Sequence, residues 1–325
     1  MTAVCVIGTG LIGGSLLRAA AAAGHEVWGA TTSEQEVAQA RQDGFDLVTS
    51  TEDALTRAAG AGAVVVIAVP FPAVDAVLRQ VAEHAPGCTL TDVVSVKGPV
   101  SELVFRHTPT TRYVGGHPMA GKSASGWSAA TPDLFQGAPW VLTTDEDTDL
   151  PAWREVADLV LSLGAHIVPT TATEHDAAVA RISHLPHVLA AVLAAAGADG
   201  GPLALALAAG SFSDGTRVAA TRPDLTLAMC EANRPALLAA LDDALGRLGA
   251  ARGALASTGA LRATVTQGHE ARKSLDHHRT APQAQVQVDL TAPNALEELA
   301  LIGTQGGHIT ALTDTTATAT VPLES

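Results

Sequence analysis

The chain has 325 residues and a formal net charge of −14, and 47% of its residues are hydrophobic against 16% charged. This length suggests two domains with a small additional segment, and the composition excludes intrinsic disorder as the main state. An acidic chain with only 19 cationic residues is unsuited to binding a nucleic-acid backbone, so we expect a small-molecule ligand and no nucleic-acid partner.

The first half of the chain alternates short apolar runs with helical segments. Ala3–Ile7 is rich in β-branched residues, and an Ala- and Leu-rich helix follows at Leu11–Ala23. Continuous apolar runs return at Ala63–Val69 and Thr89–Val94, as in strands that are buried on both faces of a parallel sheet. The alternation predicts an α/β fold, a Rossmann-type doubly wound parallel sheet covered by helices, over residues 1–172.

A second, all-helical domain is predicted over residues 173–266, where strand signals nearly vanish. Its apolar helices carry little charge, so we expect them to supply the interface of a homodimer. The Ala-rich segment Val188–Ala196 is too short to span a bilayer, and the N-terminus lacks the basic region of a signal peptide. Three separated cysteines without metal-ligand spacing are typical of free thiols in a reducing compartment. We expect a cytoplasmic protein with no metal site and no membrane partner.

The tail, residues 267–325, has a different pattern. His269–Pro282 is polar and predicts a linker. Val286–Leu290, Asn294–Ile302 and His308–Leu312 then predict a strand, a helix and a strand, and we expect the final Thr-rich residues to be disordered. This order is similar to about half of an ACT regulatory domain. The alternative is a loosely attached tail without a regulatory role.

A glycine-rich motif, GTGLIG at residues 8–13, follows the first predicted strand and opens the first helix. Gly8 permits a tight turn, Gly10 lets the backbone approach a pyrophosphate, and Gly13 lets the helix pack on the strand. Leu11 and Ile12 open the helix, whose N-terminus supplies oriented N–H groups and a partial positive charge. The motif predicts a dinucleotide site that needs no lysine.

The form of the dinucleotide depends on the end of the second predicted strand. NAD sites usually have an acidic residue there, but this segment reads GATTS at residues 29–33. Without a carboxylate, the hydroxyls of Thr31, Thr32 and Ser33 are able to donate to a 2′-phosphate, although no arginine is adjacent. Ser33 also has the capping-box spacing to Glu36. We expect NADP, or the use of both NADP and NAD. Two further candidates for cofactor contacts are Val69 and Pro70.

Four later segments concentrate polar residues within an apolar chain. They are SVKG at residues 95–98, GGHPMAG at 115–121, SHLPH at 183–187 and DGTR at 214–217. The first follows a predicted strand, where open α/β sheets place their ligands. Together with GTGLIGGS near the N-terminus, these segments resemble the prephenate/arogenate dehydrogenase family, in the same order and over residues 1 to about 260.

The resemblance implies an NAD(P)-dependent oxidative decarboxylation of prephenate or arogenate in tyrosine biosynthesis. Hydride leaves ring carbon C4 for the nicotinamide while the C4 hydroxyl loses its proton. The carbonyl that forms then accepts electrons through the ring as CO2 departs. A neutral histidine suits the removal of that proton. Two alternatives stay open: the dehydrogenation of an analogue such as 4-amino-4-deoxyprephenate in secondary metabolism, and a protein that senses NADP without catalysis.

The same resemblance assigns roles to individual residues. It implies that His117 polarises or deprotonates the hydroxyl, that Ser95 orients His117 or the nicotinamide, and that Arg217 binds a substrate carboxylate through its planar guanidinium. From the residues alone, Ser95 is also a candidate helix cap, and Arg217 is also a candidate for a surface salt bridge. Each of the two histidines of the SHLPH segment is also a candidate structural histidine. The remaining candidates for substrate contacts are Ser183, His184, His187 and Lys97.

Overall fold

The computed structural model of the protein describes residues 2–122 and 124–323, which form two compact units. Unit 1 contains residues 2–175 together with 284–321, and unit 2 contains residues 176–283 together with 322–323. The boundaries therefore lie after His175 and Gln283, whereas the sequence placed them after residues 172 and 266. The end of the chain returns to unit 1 instead of forming a separate tail.

Six parallel strands form the first sheet of unit 1. In chain order they are β1 Ala3–Ile7, β2 Glu26–Ala30, β3 Leu47–Val48, β4 Val64–Ile67, β5 Leu90–Asp92 and β6 Tyr113–Val114. Their spatial order is β3-β2-β1-β4-β5-β6, so the strand order reverses beside β1. This is the order of a doubly wound dinucleotide-binding fold, whose ligands bind at the reversal point. The predicted fold class is confirmed.

Five helices connect these strands. They are α1 Leu11–Ala22, α2 Glu34–Gln42, α3 Thr51–Ala61, α4 Phe71–His84 and α5 Gly98–His107, and a sixth helix of unit 1, α6 Leu150–Ser162, follows later in the chain. Hydroxyl side chains start two of them: Ser33 Oγ accepts the Glu36 N–H at 3.2 Å, and Ser50 Oγ accepts the Asp53 N–H at 3.0 Å. Strand β4, with the sequence VVVI, is completely buried, as expected for a central strand with helices on both faces.

Unit 2 is helical throughout its described residues. A long helix runs through α7 Ala172–Val179, a π-helical turn at Ala180–His184 and α8 Leu185–Asp199. The remaining elements are α9 Gly201–Ala206, α10 Gly210–Thr216, a 3-10 turn at Arg217–Ala220, α11 Pro223–Ala232, α12 Arg234–Thr258 and α13 Arg262–Thr280. Helices α8 and α10 pack closely where Gly197 of α8 faces the ring of Phe212 of α10. A Cβ atom at Gly197 would lie only 2.3 Å from that ring, so the contact needs a glycine.

The helix Ala172–Asp199 has 28 residues and is, by length and composition, apolar enough to cross a membrane. The sequence had suggested a much shorter apolar segment. Pro186 does not end the helix; it lies directly after the π-helical turn Ala180–His184, an irregularity that accommodates the missing N–H. Only 22% of the most apolar window is buried, so much of its apolar surface is exposed. Core and interface helices of non-membrane proteins have the same length and composition.

The second sheet of unit 1 joins two distant parts of the chain. Its strands are β7 Gly116–Pro118, β8 Pro139–Thr143, β9 His166–Thr170, β10 Gln283–Asp289, β11 His308–Leu312 and β12 Thr316–Pro322, in the spatial order β10-β12-β11-β9-β8-β7. Helix Ala295–Thr304 connects β10 to β11, and Ile309 pairs with Ile167 where the tail meets β9. The tail thus has the predicted strand, helix and strand, and completes its sheet with β9.

Two expectations for the tail are wrong. The predicted linker His269–Pro282 lies mostly in α13, whose side chains form the ion pair Arg272–Asp276 one helical turn apart, and the segment from residue 269 to 281 has no glycine or proline to interrupt the helix. The Thr-rich end, expected to be disordered, is strand β12. Its alternating sequence buries Ala317 and Ala319 completely on one face.

Candidate active site

The glycine motif forms a tight turn between β1 and α1. Gly8 has a φ of +97°, and a Cβ there would lie 2.7 Å from the Ala68 carbonyl oxygen. A Cβ on Gly13 would lie 2.0 Å from the Gly8 carbonyl oxygen. Gly10, by contrast, has no atom within 4 Å of its ideal Cβ position. The N-terminus of α1 therefore faces open space with no acidic residue in its first turn, which fits a pyrophosphate.

The other expected cofactor residues surround this turn. Leu11 and Ile12 begin α1, and the Val69 Cγ1 atom lies 2.8 Å from the ideal Cβ position of Gly8. Pro70 is exposed and precedes α4. The Gly8 N–H donates to the Ala30 carbonyl at 2.8 Å, so the end of β2 lies directly beside the turn.

The end of β2 differs from the expectation in one respect. Thr31 donates its hydroxyl to Glu36 Oε2 at 2.9 Å, while Ser33 caps α2 and Thr32 is exposed. The sequence argument for NADP depended on the absence of a carboxylate here, and α2 supplies one from five residues further along the chain. The Ser33–Glu36 spacing did predict the cap, but it gave no sign that the carboxylate turns back to Thr31.

His117 lies on β7, where it pairs with Val141 of β8 in an antiparallel ladder. Its Nδ1 atom is 2.8 Å from Nε2 of His175, and the two rings meet edge to face at 79°. His175 is 2% exposed and follows β9 at the start of α7. The contact fixes the ring orientation of His117, and one of the two nitrogens must supply the shared proton.

A buried polar cluster supports the backbone next to His117. Lys97 is completely buried, and its Nζ donates to Asp92 Oδ1 and, at 2.5 Å, to the Gly116 carbonyl. The other carboxylate oxygen of Asp92 accepts the Tyr113 hydroxyl at 2.7 Å and the Gly116 N–H at 3.3 Å. The N–H and the carbonyl of Gly116, the residue before His117, are therefore both held by one ion pair.

Lys97, which the sequence suggested for substrate contact, is placed by the structure inside unit 1. Its ammonium group is paired with Asp92, because an ammonium that is buried without a partner is very costly. Ser95, two residues earlier, is half-buried and makes no side-chain hydrogen bond within the described residues. It is not a helix cap, since α5 begins at Gly98 without a side-chain cap.

His184 of the SHLPH segment is also not placed to contact a ligand. It is completely buried in unit 2, and its Nδ1 atom lies 3.1 Å from Nδ2 of the buried Asn233. The same Asn233 amide donates to the Asp176 carbonyl at 2.8 Å. These contacts join α11 and α12 to the long helix, as expected for the alternative that His184 is a structural histidine.

The remaining candidates of unit 2 have more exposed positions. His187 is half-buried, and its Nδ1 atom lies 2.9 Å from the Ser183 carbonyl oxygen, which fixes its ring. Arg217 is exposed at the start of the 3-10 turn and forms no salt bridge within the described part of the chain. The structure thus brings His117, Ser95 and the glycine turn into unit 1 and the SHLPH and DGTR residues into unit 2.

His175 was not a candidate partner of His117 in the sequence analysis. The two residues are 58 positions apart, and no local pattern links a loop histidine to one that follows a later strand. The only signal was the polar triplet of residues 174–176 within an apolar region.

Comparison with known proteins gives concordant matches. The family model described as "Prephenate dehydrogenase, nucleotide-binding domain" matches residues 15–169, and the model described as "Prephenate dehydrogenase, dimerization domain" matches residues 171–260. A cyclohexadienyl dehydrogenase of Zymomonas mobilis is 33% identical over 262 residues, which are 78% of this chain and 88% of that protein. A prephenate dehydrogenase of Bacillus subtilis is 32% identical over 250 residues, 74% of this chain. The match spans only 66% of the Bacillus protein, slightly less than two thirds.

A solved structure matches over almost the whole chain. The crystal structure of a proposed prephenate dehydrogenase from Corynebacterium glutamicum is 42% identical in sequence. It superposes with a TM-score of 0.88 and covers 94% of this chain and 98% of that one. The match therefore includes the tail beyond the two family models.

Proposed function

The chain belongs to the prephenate dehydrogenase family, and from that premise we propose that it oxidises and decarboxylates a cyclohexadienyl acid with NAD or NADP in tyrosine biosynthesis. The proposed substrate is prephenate or arogenate, and the product is 4-hydroxyphenylpyruvate or tyrosine. The observation that supports the proposal most is the His117–His175 pair at 2.8 Å, in the same unit as the open glycine turn. A binding protein without catalysis has no need for an oriented base.

The residues of unit 1 fit a nicotinamide dinucleotide. Gly8, Gly10 and Gly13 would hold its pyrophosphate at the N-terminus of α1, because the Gly10 side of the turn is open. When bound, the nicotinamide accepts a hydride. The neighbouring Val69 and Pro70 would limit access of water to the dinucleotide.

In the proposed mechanism, His117 accepts the proton of the C4 hydroxyl as hydride leaves C4. The pair contact with His175 keeps the ring in one orientation and stabilises the proton that His117 receives. Ser95 is proposed to hold the hydroxyl oxygen, since its own hydroxyl has no hydrogen bond within the described residues. No further base is needed, because the new carbonyl accepts the electrons that CO2 leaves behind.

The proposed carboxylate-binding residues are those of unit 2. Arg217 is exposed and has five donors in a planar fork that matches a carboxylate. We assign His187 and Ser183 to the substrate side of unit 2 as well, since His187 is half-buried with a fixed ring. Lys97 and His184 are left out of this set because both are completely buried.

We also propose a homodimer that forms through unit 2. The matched family domain is described as a dimerization domain, and many large apolar side chains of α8 to α13 are exposed. A cytoplasmic location is proposed on the three buried, free cysteines Cys5, Cys88 and Cys230. Burial raises the pKa of the Cys5 thiol to about 12, so this thiol is unreactive.

The proposal is tested by initial rates with prephenate, arogenate and 4-amino-4-deoxyprephenate, each with NAD+ and NADP+. Formation of NADH or NADPH with prephenate or arogenate is the expected result. Turnover with the amino analogue alone would instead support the role in secondary metabolism. If no pair gives reduced cofactor while a dinucleotide binds, the protein is the non-catalytic sensor and the proposed activity is wrong.

A further inference from the structure

We propose that Glu36 selects the cofactor, because its carboxylate is placed to accept the adenosine ribose hydroxyls of NAD and to repel the 2′-phosphate of NADP. The inference uses the proposed function only in taking a nicotinamide dinucleotide as the ligand. In this proposal a residue of α2 selects the cofactor, not the segment at residues 29–33. The proposal favours NAD, whereas the sequence of that segment had favoured NADP.

The position of Glu36 follows from the backbone around the glycine turn. The Gly8 N–H donates to the Ala30 carbonyl at 2.8 Å, and Ile7 is the parallel neighbour of Ala30. Thr31 is the first residue after β2, so it lies beside the turn that fits the pyrophosphate. In doubly wound folds the adenosine ribose binds at this end of the second strand. The Glu36 carboxylate is 2.9 Å from the Thr31 hydroxyl and is therefore at the ribose edge of the site.

The Glu36 carboxylate is fixed by two donors from different parts of unit 1. Oε2 accepts the Thr31 hydroxyl, and Oε1 accepts the backbone N–H of Trp127 at 3.3 Å. Trp127 is 1% exposed and begins a short 3-10 turn, so this second donor belongs to a rigid part of the core. A carboxylate oriented in advance loses little entropy when it binds a hydroxyl pair. Each of its oxygens keeps acceptor capacity for such a ligand.

The charge of Glu36 is not neutralised by a cation. It forms no salt bridge within the residues that the structure describes, and the two arginines of this region are engaged elsewhere. Arg18 pairs with Asp43 at 2.7 Å, and Arg41 donates to the Leu47 carbonyl at 3.3 Å. Hydrogen bonds from the Trp127 indole and from Arg18 hold the pKa of Asp43 below its ordinary value, but this carboxylate caps the opposite, C-terminal end of α2 and takes Arg18 as its partner.

The hydroxyls that suggested NADP are partly engaged as well. Thr31 has a single hydroxyl proton, which it donates to Glu36, and its oxygen accepts the Ser33 N–H at 3.4 Å. Ser33 uses its oxygen as the cap of α2. That cap uses only the acceptor side of the Ser33 hydroxyl. A 2′-phosphate would therefore meet two hydroxyl donors, those of Thr32 and Ser33, and a fixed carboxylate, whereas NADP sites normally offer an arginine.

The experiment measures the dissociation constants of NADH and NADPH by cofactor fluorescence, together with kcat/KM for NAD+ and NADP+. The wild-type protein is expected to bind NADH about 10-fold or more tightly than NADPH, about 1.4 kcal/mol. Glu36→Gln keeps the size of the side chain and removes its charge, so this ratio falls about 10-fold, mainly through tighter NADPH binding. Glu34→Gln is the matched control, since Glu34 is an exposed carboxylate of the same helical turn and its change leaves the ratio as in the wild type.

A second variant separates the charge from its orientation. Thr31→Val removes the donor to Glu36 but leaves the carboxylate, so NADH binding weakens a few-fold while NADPH binding does not improve. High ionic strength reduces the preference of the wild type, because it screens the repulsion. Tighter binding of NADPH by the wild type, an unchanged ratio in Glu36→Gln, or no binding of either cofactor overturns the proposal. Binding of NADH without dehydrogenase activity overturns only the proposed function.

Discussion

The two units differ in how they treat their apolar side chains. Unit 1 closes around its own core, in which Trp127, Phe135 and Trp153 are at most 1% exposed. In unit 2 the pattern is reversed: sixteen of the nineteen exposed large apolar side chains in the described chain lie between Ile182 and Leu275. Such a surface is too apolar to remain in water. The difference teaches that unit 1 buries its large apolar side chains within one chain, whereas the exposed apolar side chains of unit 2 support the homodimer proposed above.

The functional residues follow the same division. In unit 1 the groups around His117 are held by buried hydrogen bonds and by the ion pair of Lys97 with Asp92. In unit 2 Arg217 is exposed and without a salt bridge among the described residues. Changes in unit 1 should therefore alter the chemical step or the stability of the fold. Changes in unit 2 should alter substrate binding or association.

The largest effect is expected from His117→Asn. Loss of the base lowers kcat about 10²- to 10⁴-fold, while NADH binding stays close to the wild type because the glycine turn is untouched. Steady-state kinetics and cofactor fluorescence measure the two quantities separately. Near-normal turnover would assign the base to another residue.

Lys97→Met tests the buried ion pair of unit 1. The change leaves the Asp92 carboxylate buried without its cation, so the free energy of unfolding falls by about 3–5 kcal/mol. Urea denaturation measures it. The matched control is Lys122→Met, because Lys122 is exposed and contacts only Thr131 among the described residues, and it should change stability by less than about 0.5 kcal/mol. Equal effects of the two substitutions would contradict the positioning role.

Arg217→Ala tests the exposed site of unit 2. Removal of the guanidinium that is proposed to bind the substrate carboxylate should raise KM for the acid about 10- to 100-fold, with a smaller change in kcat. A hydrogen bond to a charged group contributes about 1.5–3 kcal/mol. Arg222→Ala is the control: this arginine is five residues away and already paired with Asp224. An unchanged KM in Arg217→Ala would place the carboxylate site elsewhere.

Leu245→Glu tests whether unit 2 needs a second copy. Leu245 is 62% exposed on α12, and burial of a leucine contributes about 1.5–3 kcal/mol, so dimerisation should weaken about 10-fold or more. Analytical ultracentrifugation gives the association constant. Phe105→Glu changes an even more exposed apolar residue, 76%, on α5 of unit 1 and should leave association unaltered. A monomeric wild type would remove the distinction between the units.

The smallest effect concerns the junction of the tail with β9. The rings of His166 and His308 are 4.4 Å apart, and burial lowers the pKa of both below the ordinary value of 6.5. The unfolded chain therefore binds more protons than the folded one just below pH 6.5, so stability falls as the pH decreases from 7 towards 5. In His308→Asn this decrease should be shallower. Urea denaturation at both pH values measures it, and an equal slope would show that the pair is not protonated on unfolding.

The sequence predicted those parts of the molecule that are determined by local pattern. Continuous apolar runs predicted the buried strands, and the spacing of Gly8, Gly10 and Gly13 predicted the turn before α1. The polar segments directed attention to His117, which the structure pairs with His175, while the roles of His117 and Arg217 stay predictions. Each of these signals lies within a window of a few residues, where backbone geometry and burial follow directly from residue type.

Other features depend on contacts between distant segments and could not be predicted. His175 meets His117 across 58 residues, and the backbone of Trp127 fixes Glu36 from 91 residues away. Lys97 is buried because Asp92 and the Gly116 carbonyl together bind its ammonium group. A cation that the sequence suggested for ligand binding therefore holds the backbone beside His117 instead. Helix α13 could not be predicted from apolar periodicity, because its sequence is mostly polar. Its helical pattern lies in charge pairs one turn apart, such as Arg272 with Asp276.

The pairing of β9 with β11 has a consequence for biosynthesis. Strands β9 and β11 are neighbours in the folded protein, but β9 ends at Thr170 and β11 begins at His308. The ribosome therefore synthesises the helices of unit 2 after β9 and before β11. Until the last strands emerge, the edge of β9 around Ile167 has no partner, and unpaired edges favour aggregation. The nascent chain must therefore wait for its C-terminus before the first unit is complete, and premature termination after α13 would release a protein with an open sheet.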